Sequence, residues 1–277
     1  MKRIIVETYP VRGIPIMTLA QENAKNCPVV FFIHGFTSDK SEGLALGYRL
    51  AKRGFYFVSV DAYMHGQRLN PGLKNVWNPA YGNRVYPLET GLDPAILMYQ
   101  VIAQTVQDVG VLVEHLEKDP RADMSCLGVS GSSMGAGATY CLAATNPKFQ
   151  VAVPFIGMPA FAERMEDVVI ECSSYDKWSQ TFHDLRGEIE KMMDFIRVLD
   201  PFEKMGNFCP KPLMMINGEH DLESPKIYSI RLYEYLKPFY TQHPEKLKLN
   251  IHDGVAHTVT TEMLEDACDW FSKYLLQ

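Results

Sequence analysis

With 277 residues, 47% of them apolar and 22% charged, the chain has the balance of a folded globular protein, which excludes disordered, fibrous and collagen-like classes. The net charge of −6 is spread over interspersed acidic and basic residues, so no basic stripe exists to neutralise nucleic-acid phosphates. The opening Met1-Lys2-Arg3-Ile4-Ile5-Val6-Glu7 has no apolar signal region, and no apolar run is long enough to span a bilayer, so a cytoplasmic location without membrane contact is expected.

In chain order, short β-branched and aromatic runs alternate with longer helical patterns, the signature of βαβ units and a mainly parallel sheet within one domain, residues 1–277. Residues 4–7 and 14–19 read as an antiparallel edge hairpin. Residues 29–33 are continuously apolar, as a strand buried on both faces should be, and a helix is expected over 43–53. Strands at 56–60, 126–129 and 151–156 follow, with helices at 94–118 and 134–145 between them. From 158 to 208 the strand pattern stops and a Met-rich, aromatic and charged stretch intervenes, helical in period over 185–198; its length marks it as a small helical lid inserted at the carboxyl edge of the sheet. The closing elements are a strand at 213–217, a helix at 225–240, a strand at 248–252 and a helix at 261–274. The six cysteines, Cys27, Cys126, Cys141, Cys172, Cys209 and Cys268, fit no metal-binding or disulfide spacing and read as free thiols.

Ligands bind beyond the carboxyl ends of such strands, so the residues after each strand carry the chemistry. Gly131-Ser132-Ser133-Met134-Gly135 matches G-x-S-x-G between a strand and a helix, and only Ser133 has glycine on both sides at two residues' distance. A serine hydroxyl needs an imidazole to take its proton, and the imidazole needs a carboxylate to hold its tautomer. After the strand at 213–217 comes Gly218-Glu219-His220-Asp221-Leu222-Glu223, from which Asp221 is the candidate acid and Glu219 and Glu223 are its competitors. After the last strand, Asp253-Gly254-Val255-Ala256-His257 places His257 as the candidate base, with His252 as the rival. The oxyanion formed in acyl transfer needs two backbone donors, expected from Met134 and, in the loop His34-Gly35-Phe36-Thr37-Ser38, from Phe36. His34 is expected to shape that loop by hydrogen bonding, and the loop from Asp61 to His65-Gly66 to brace it.

These motifs, in this order across nearly the whole chain, resemble bacterial α/β-hydrolase esterases of the branch similar to dienelactone hydrolase and prolyl oligopeptidase. The resemblance implies an α/β-hydrolase fold, with a mainly parallel eight-stranded sheet flanked by helices. It also implies hydrolysis of carboxylic esters through an acyl-enzyme, without a metal or organic cofactor. Two departures narrow it: dienelactone hydrolase is known for a cysteine nucleophile where this chain has Ser133, and 277 residues leave no room for a propeller domain, which disfavours peptidase activity. Trp77, Tyr81 and Tyr86 in one loop, with Met158, Phe161, Met165 and Trp178 in the insertion, are candidates for an apolar pocket that binds a small-molecule, short-chain ester. A thioesterase, acyltransferase or peptidase with the same triad, or a non-catalytic binding protein, are the alternatives, and a homodimer stays open.

Overall fold

The computed structural model describes residues 3–69, 94–173 and 190–276. An antiparallel hairpin, β1 (Ile4–Val11) and β2 (Ile14–Gln21), opens the chain. Its two-residue turn has φ 48° at Arg12 and 82° at Gly13, the hand of backbone twist that tight hairpin loops require. β2 runs antiparallel to β4 (Tyr56–Val60), which lies parallel to β3 (Cys27–Ile33). β5 (Ala122–Ser132), β6 (Phe149–Phe155), β7 (Leu213–Gly218) and β8 (Leu247–His252) continue the parallel arrangement. The eight strands form one sheet in the order β1-β2-β4-β3-β5-β6-β7-β8, with the hairpin at one edge as its sequence suggested.

Side-chain alternation divides the core into two layers. Val29, Phe31 and Ile33 of β3 pack on the side of helices α2 (Pro94–Leu116) and α3 (Met134–Thr145), whereas Val30 and Phe32 pack on the side of α1 (Leu44–Lys52). Burying apolar side chains of this size contributes roughly 1.5–3 kcal/mol each, which fixes the register of the central strands and therefore where each one ends. Helix α4 (Phe161–Ser173) and a helical stretch at 190–199 (α5) fall within the span 158–208 that its sequence marked as an expected insertion. The last two helices are α6 (Lys226–Leu236), on the α2 and α3 side, and α7 (Thr261–Leu275), on the α1 side.

Several boundaries differ from expectation for identifiable reasons. β5 starts at Ala122 rather than near 126 because Ala122 and Asp123 pair with Cys27 and Pro28 of β3. The expected helix 225–240 divides at Leu236, and Lys237–Tyr240 forms a 3₁₀ turn, since Pro238 has no N–H to continue an α-helical ladder. α1 is preceded by a separate 3₁₀ turn, Lys40–Gly43, whose N-cap Asp39 accepts the Ser41 N–H at 2.7 Å. No helix among the described residues is long and apolar enough to cross a membrane.

Candidate active site

β5, β7 and β8 run parallel, so the loops that follow them leave the sheet at the same edge. Ser133 joins β5 to α3 with φ 51° and ψ −112°. Such a conformation costs a non-glycine residue roughly 1–3 kcal/mol and persists only where its surroundings enforce it. Here the Ser133 N–H donates to the Phe155 carbonyl at 3.0 Å. The flanking glycines permit the turn: a Cβ on Gly131 would overlap the backbone of Gly135, and one on Gly135 would overlap the Ile33 carbonyl at the end of β3.

Asp221 follows β7 and is 3% exposed. Its Oδ1 accepts the N–H groups of Glu223 and Ser224 at 3.0 and 2.8 Å, which anchors the carboxylate. His257 Nδ1 lies 2.8 Å from Asp221 Oδ2 and 3.0 Å from Oδ1. A carboxylate can only accept, so Nδ1 carries the proton and Nε2 presents a lone pair. That lone pair faces Ser133 Oγ at 2.9 Å, so the hydroxyl donates to the imidazole. Three side chains from widely separated parts of the sequence therefore form one directed hydrogen-bonded line. Burial alone would lower the His257 pKa, but the hydrogen bond and charge of Asp221, followed by the charges of Glu223 and Glu42, outweigh it and leave the imidazole above its usual value.

Glu219 and His252 are engaged elsewhere, and Glu223 approaches the imidazole from its other side. Glu219 Oε2 accepts the Gly254 N–H at 3.0 Å and so ties the loop after β7 to the loop after β8. His252 Nε2 pairs with Asp266 Oδ2 of α7 at 3.1 Å. Glu223 is 68% exposed, with Oε2 3.7 Å from His257 Nε2, on the nitrogen opposite to the one that Asp221 holds.

Met134 opens α3, and the first N–H groups of a helix have no partner within it, which leaves this one available as a donor beside Ser133. The loop with the second candidate donor, Phe36, is held from behind. His34 donates its Nδ1–H to the Gly35 carbonyl at 2.7 Å, while its Nε2 accepts the Ala62 N–H at 3.0 Å. This pair of bonds requires a neutral ring, and burial pushes the His34 pKa down despite the opposing Gly35 carbonyl and the nearby carboxylates. The His65 ring centroid lies 5.4 Å from those of both His34 and Phe36, and burial lowers the His65 pKa to about 4. Asp61, fully buried, accepts from Lys40 Nζ at 2.8 Å and from the Lys40 and Gln67 N–H groups at 2.9 Å each, joining the loop after β4 to the Lys40–Gly43 turn.

Sequence reasoning passed over Glu42. Its Oε2 accepts the Gly35 N–H at 3.1 Å and its Oε1 accepts the Ser132 hydroxyl. An acidic residue one turn beyond the loop His34 to Ser38 is the only local hint, because Ser132 is distant in sequence.

Of the pocket candidates, Met158 is half-buried just beyond Gly157, the glycine at which β6 approaches the nucleophile turn: a Cβ there would overlap the Ala136 side chain and crowd the Ser133 carbonyl. Phe161 and Met165 belong to the core, at 2% and 3% exposure, with the Phe161 ring 5.1 Å from Tyr99. Trp77, Tyr81, Tyr86 and Trp178 lie outside the described residues. Among the described residues, no group of three or more His, Cys, Asp or Glu side chains converges as a metal-binding set.

A family model described as the prolyl oligopeptidase family matches residues 97–277, a span that contains Ser133, Asp221 and His257. YitV of Bacillus subtilis (strain 168), named as a predicted esterase, is 24% identical over 274 residues, covering 98% of this chain and 100% of that protein. Among solved structures, TT1662 from Thermus thermophilus is similar with a TM-score of 0.71 at 19% identity over 99% of both chains. Acetyl xylan esterase 1 from Thermoanaerobacterium sp. JW/SL YS485 is similar with a TM-score of 0.66 at 16% identity, over 99% of this chain and 88% of that one. At these identities the structural likeness shows the fold.

Proposed function

The chain belongs to the prolyl oligopeptidase family, and from that premise we propose that it is a serine hydrolase cleaving small, short-chain carboxylic esters through an acyl-enzyme. The observation that carries this function is the line from Asp221 through His257 to Ser133, with heavy-atom distances of 2.8 and 2.9 Å. The esterase names of YitV and the Thermoanaerobacterium enzyme support the choice of bond.

In the proposed cycle, Ser133 Oγ attacks the ester carbonyl carbon as its proton passes to His257 Nε2. The carbonyl oxygen becomes an oxyanion that accepts from the Met134 and Phe36 N–H groups. Asp221 keeps the proton of Nδ1 in place and offsets the charge of the imidazolium. When the tetrahedral centre collapses, the bond to the alcohol oxygen breaks and that oxygen takes the proton from Nε2. Water then repeats the sequence: its proton goes to Nε2, its oxygen bonds to the acyl carbon, and Ser133 leaves with the proton from Nε2. Acid, alcohol and the starting enzyme are the products.

Residues 158–208 act in this proposal as a cover over the carboxyl edge of the sheet, within a single domain. Two contacts support that role. Gly157 brings the start of the segment against the nucleophile turn, and Asp200, anchored locally by the Phe202 N–H at 2.9 Å, accepts the Ala162 N–H at 2.8 Å, which draws the return of the segment to its start.

The direct test is hydrolysis of p-nitrophenyl acetate and butyrate alongside matched thioesters and anilides. Ester turnover should dominate, and Ser133→Ala should lower kcat by at least about 10³. A Ser133→Ala variant as active as the parent would refute the assignment.

A further inference from the structure

We propose that Glu42 is a positioning residue that sets the geometry of the oxyanion hole by holding together the two loops that supply its backbone donors. The inference rests on the serine-hydrolase function proposed above and concerns the same site. One donor, the Phe36 N–H, follows Gly35, and the other, the Met134 N–H, follows Ser133. Glu42 grips both loops just ahead of the donors, at Gly35 directly before Phe36 and at Ser132 two residues before Met134: Oε2 takes the Gly35 N–H at 3.1 Å and Oε1 takes the Ser132 hydroxyl. The two loops belong to β3 and β5, which are adjacent and parallel, but strand pairing ends at Ile33 and Gly131. Beyond that point Glu42 bridges the two loops directly.

The fit is close. A Cβ on Gly35 would lie 3.4 Å from Ser132 Oγ and 3.6 Å from Glu42 Oε2, so the loop, the hydroxyl and the carboxylate are already at contact distance around an atom that glycine lacks. Gly35 is held at both ends, its N–H by Glu42 and its carbonyl by His34. Oxyanion donors act within a narrow range, about 2.7–3.1 Å from the developing charge, and lose effect when displaced. An ordinary exposed carboxylate contributes little. Glu42 is exposed, but each of its oxygens is committed to a different loop. Its charge also reaches the candidate base, where it adds to those of Asp221 and Glu223 in favouring the imidazolium.

The test compares Glu42→Ala, Glu42→Gln and Glu42→Asp with the parent. The rate of Ser133 phosphonylation by a fluorophosphonate probe, followed by mass spectrometry, reads the hole without knowledge of the substrate. Turnover of p-nitrophenyl butyrate gives kcat, KM and the pH profile. Glu42→Ala should slow phosphonylation and kcat about 10- to 100-fold, less than removing a donor outright, with KM within about twofold and Tm unchanged. Glu42→Gln retains one acceptor and should fall between Ala and the parent. In Ala and Gln, the acid limb of kcat/KM should move to lower pH because a negative charge facing His257 is gone; in Asp it should stay. Parent-like phosphonylation in both Ala and Gln overturns the inference, as does a loss that follows a drop in Tm and leaves the pH profile unmoved. If the parent itself is not labelled at Ser133, the hydrolase function falls together with this inference, whereas a labelled parent with unaffected variants removes this inference alone.

Discussion

His34 donates its Nδ1–H to the carbonyl of Gly35, its immediate neighbour, at 2.7 Å. In a trans peptide the C=O and N–H point in opposite directions, so this bond also dictates where the Phe36 N–H points. The ring is kept in place by the Ala62 N–H on its other nitrogen. His34→Ala removes both bonds and should lower kcat roughly 10- to 100-fold with KM nearly constant, since a donor that serves mainly the transition state is misdirected. A steady-state comparison showing a change in KM alone would mean that Phe36 is not the second donor.

The acid limb of the kcat/KM profile should have its midpoint above the ordinary imidazole value of about 6.5, because the base acts neutral and its pKa is raised. Activity is then lost as pH falls through that raised value. Asp221→Asn removes the main upward influence together with the tautomer lock, so kcat should fall roughly 10³- to 10⁴-fold and the limb should shift down. Glu219→Gln should stay within about fivefold of the parent, the scale of an exposed charge contact. The opposite ranking would move the acid to Glu219.

How much of this was legible in the sequence depended on how local each feature is. Gly131 to Gly135 could be read directly, because the turn demands small residues at fixed spacing wherever a strand meets a helix in this way. Strand cores such as Tyr56–Val60 were legible for the same reason, whereas the early start of β5 depends on pairing with β3, a long-range property. The sequence left Glu219 and Glu223 as competitors of Asp221; in the structure the difference between Asp221 and Glu219 is one of engagement, with Asp221 on His257 and Glu219 on the Gly254 N–H. Glu42 was not legible because its role depends on Ser132, brought near only by the adjacency of β3 and β5. Phe161 and Met165 looked like pocket residues because an apolar side chain in an insertion suits a lining or a core equally well, but both are buried in the main core, the Phe161 ring against Tyr99 of α2.

Stability should decline in mild acid through the buried imidazole of His65, in the loop after β4. The folded pKa of His65 is about 4 against about 6.5 in the unfolded chain, so between those values the unfolded state binds the extra proton. Folding free energy from this group is intact above about pH 6.5 and is lost as pH falls toward 4, by up to about 3 kcal/mol. The buried His34 shifts in the same direction. Thermal melts should therefore show Tm lower at pH 5 than at pH 7, and His65→Gln should flatten that difference. An unchanged slope in the variant would put the sensitivity elsewhere.

Esters that carry a negative charge should be poor substrates. Glu223 and Glu42 both act on the base by charge, and Glu223 Oε2 is 3.7 Å from His257 Nε2. A p-nitrophenyl ester with a terminal carboxylate on its acyl chain should show kcat/KM about fivefold below its neutral isostere, with the gap narrowing as salt is added. Glu223→Gln should narrow it too; a gap indifferent to both changes would show that the mouth does not sense charge.

Asp200 receives the Ala162 and Phe202 N–H groups on its two oxygens, so the excursion after β6 departs from and returns to a single point. Between those two residues Met165, Met193 and Ile196 are buried in the main core, so the excursion is part of the frame rather than an appendage to it. Any exchange of this stretch with that of a relative has to carry those three side chains across unchanged, because the layer that α2 and α3 pack into is built partly from the excursion itself.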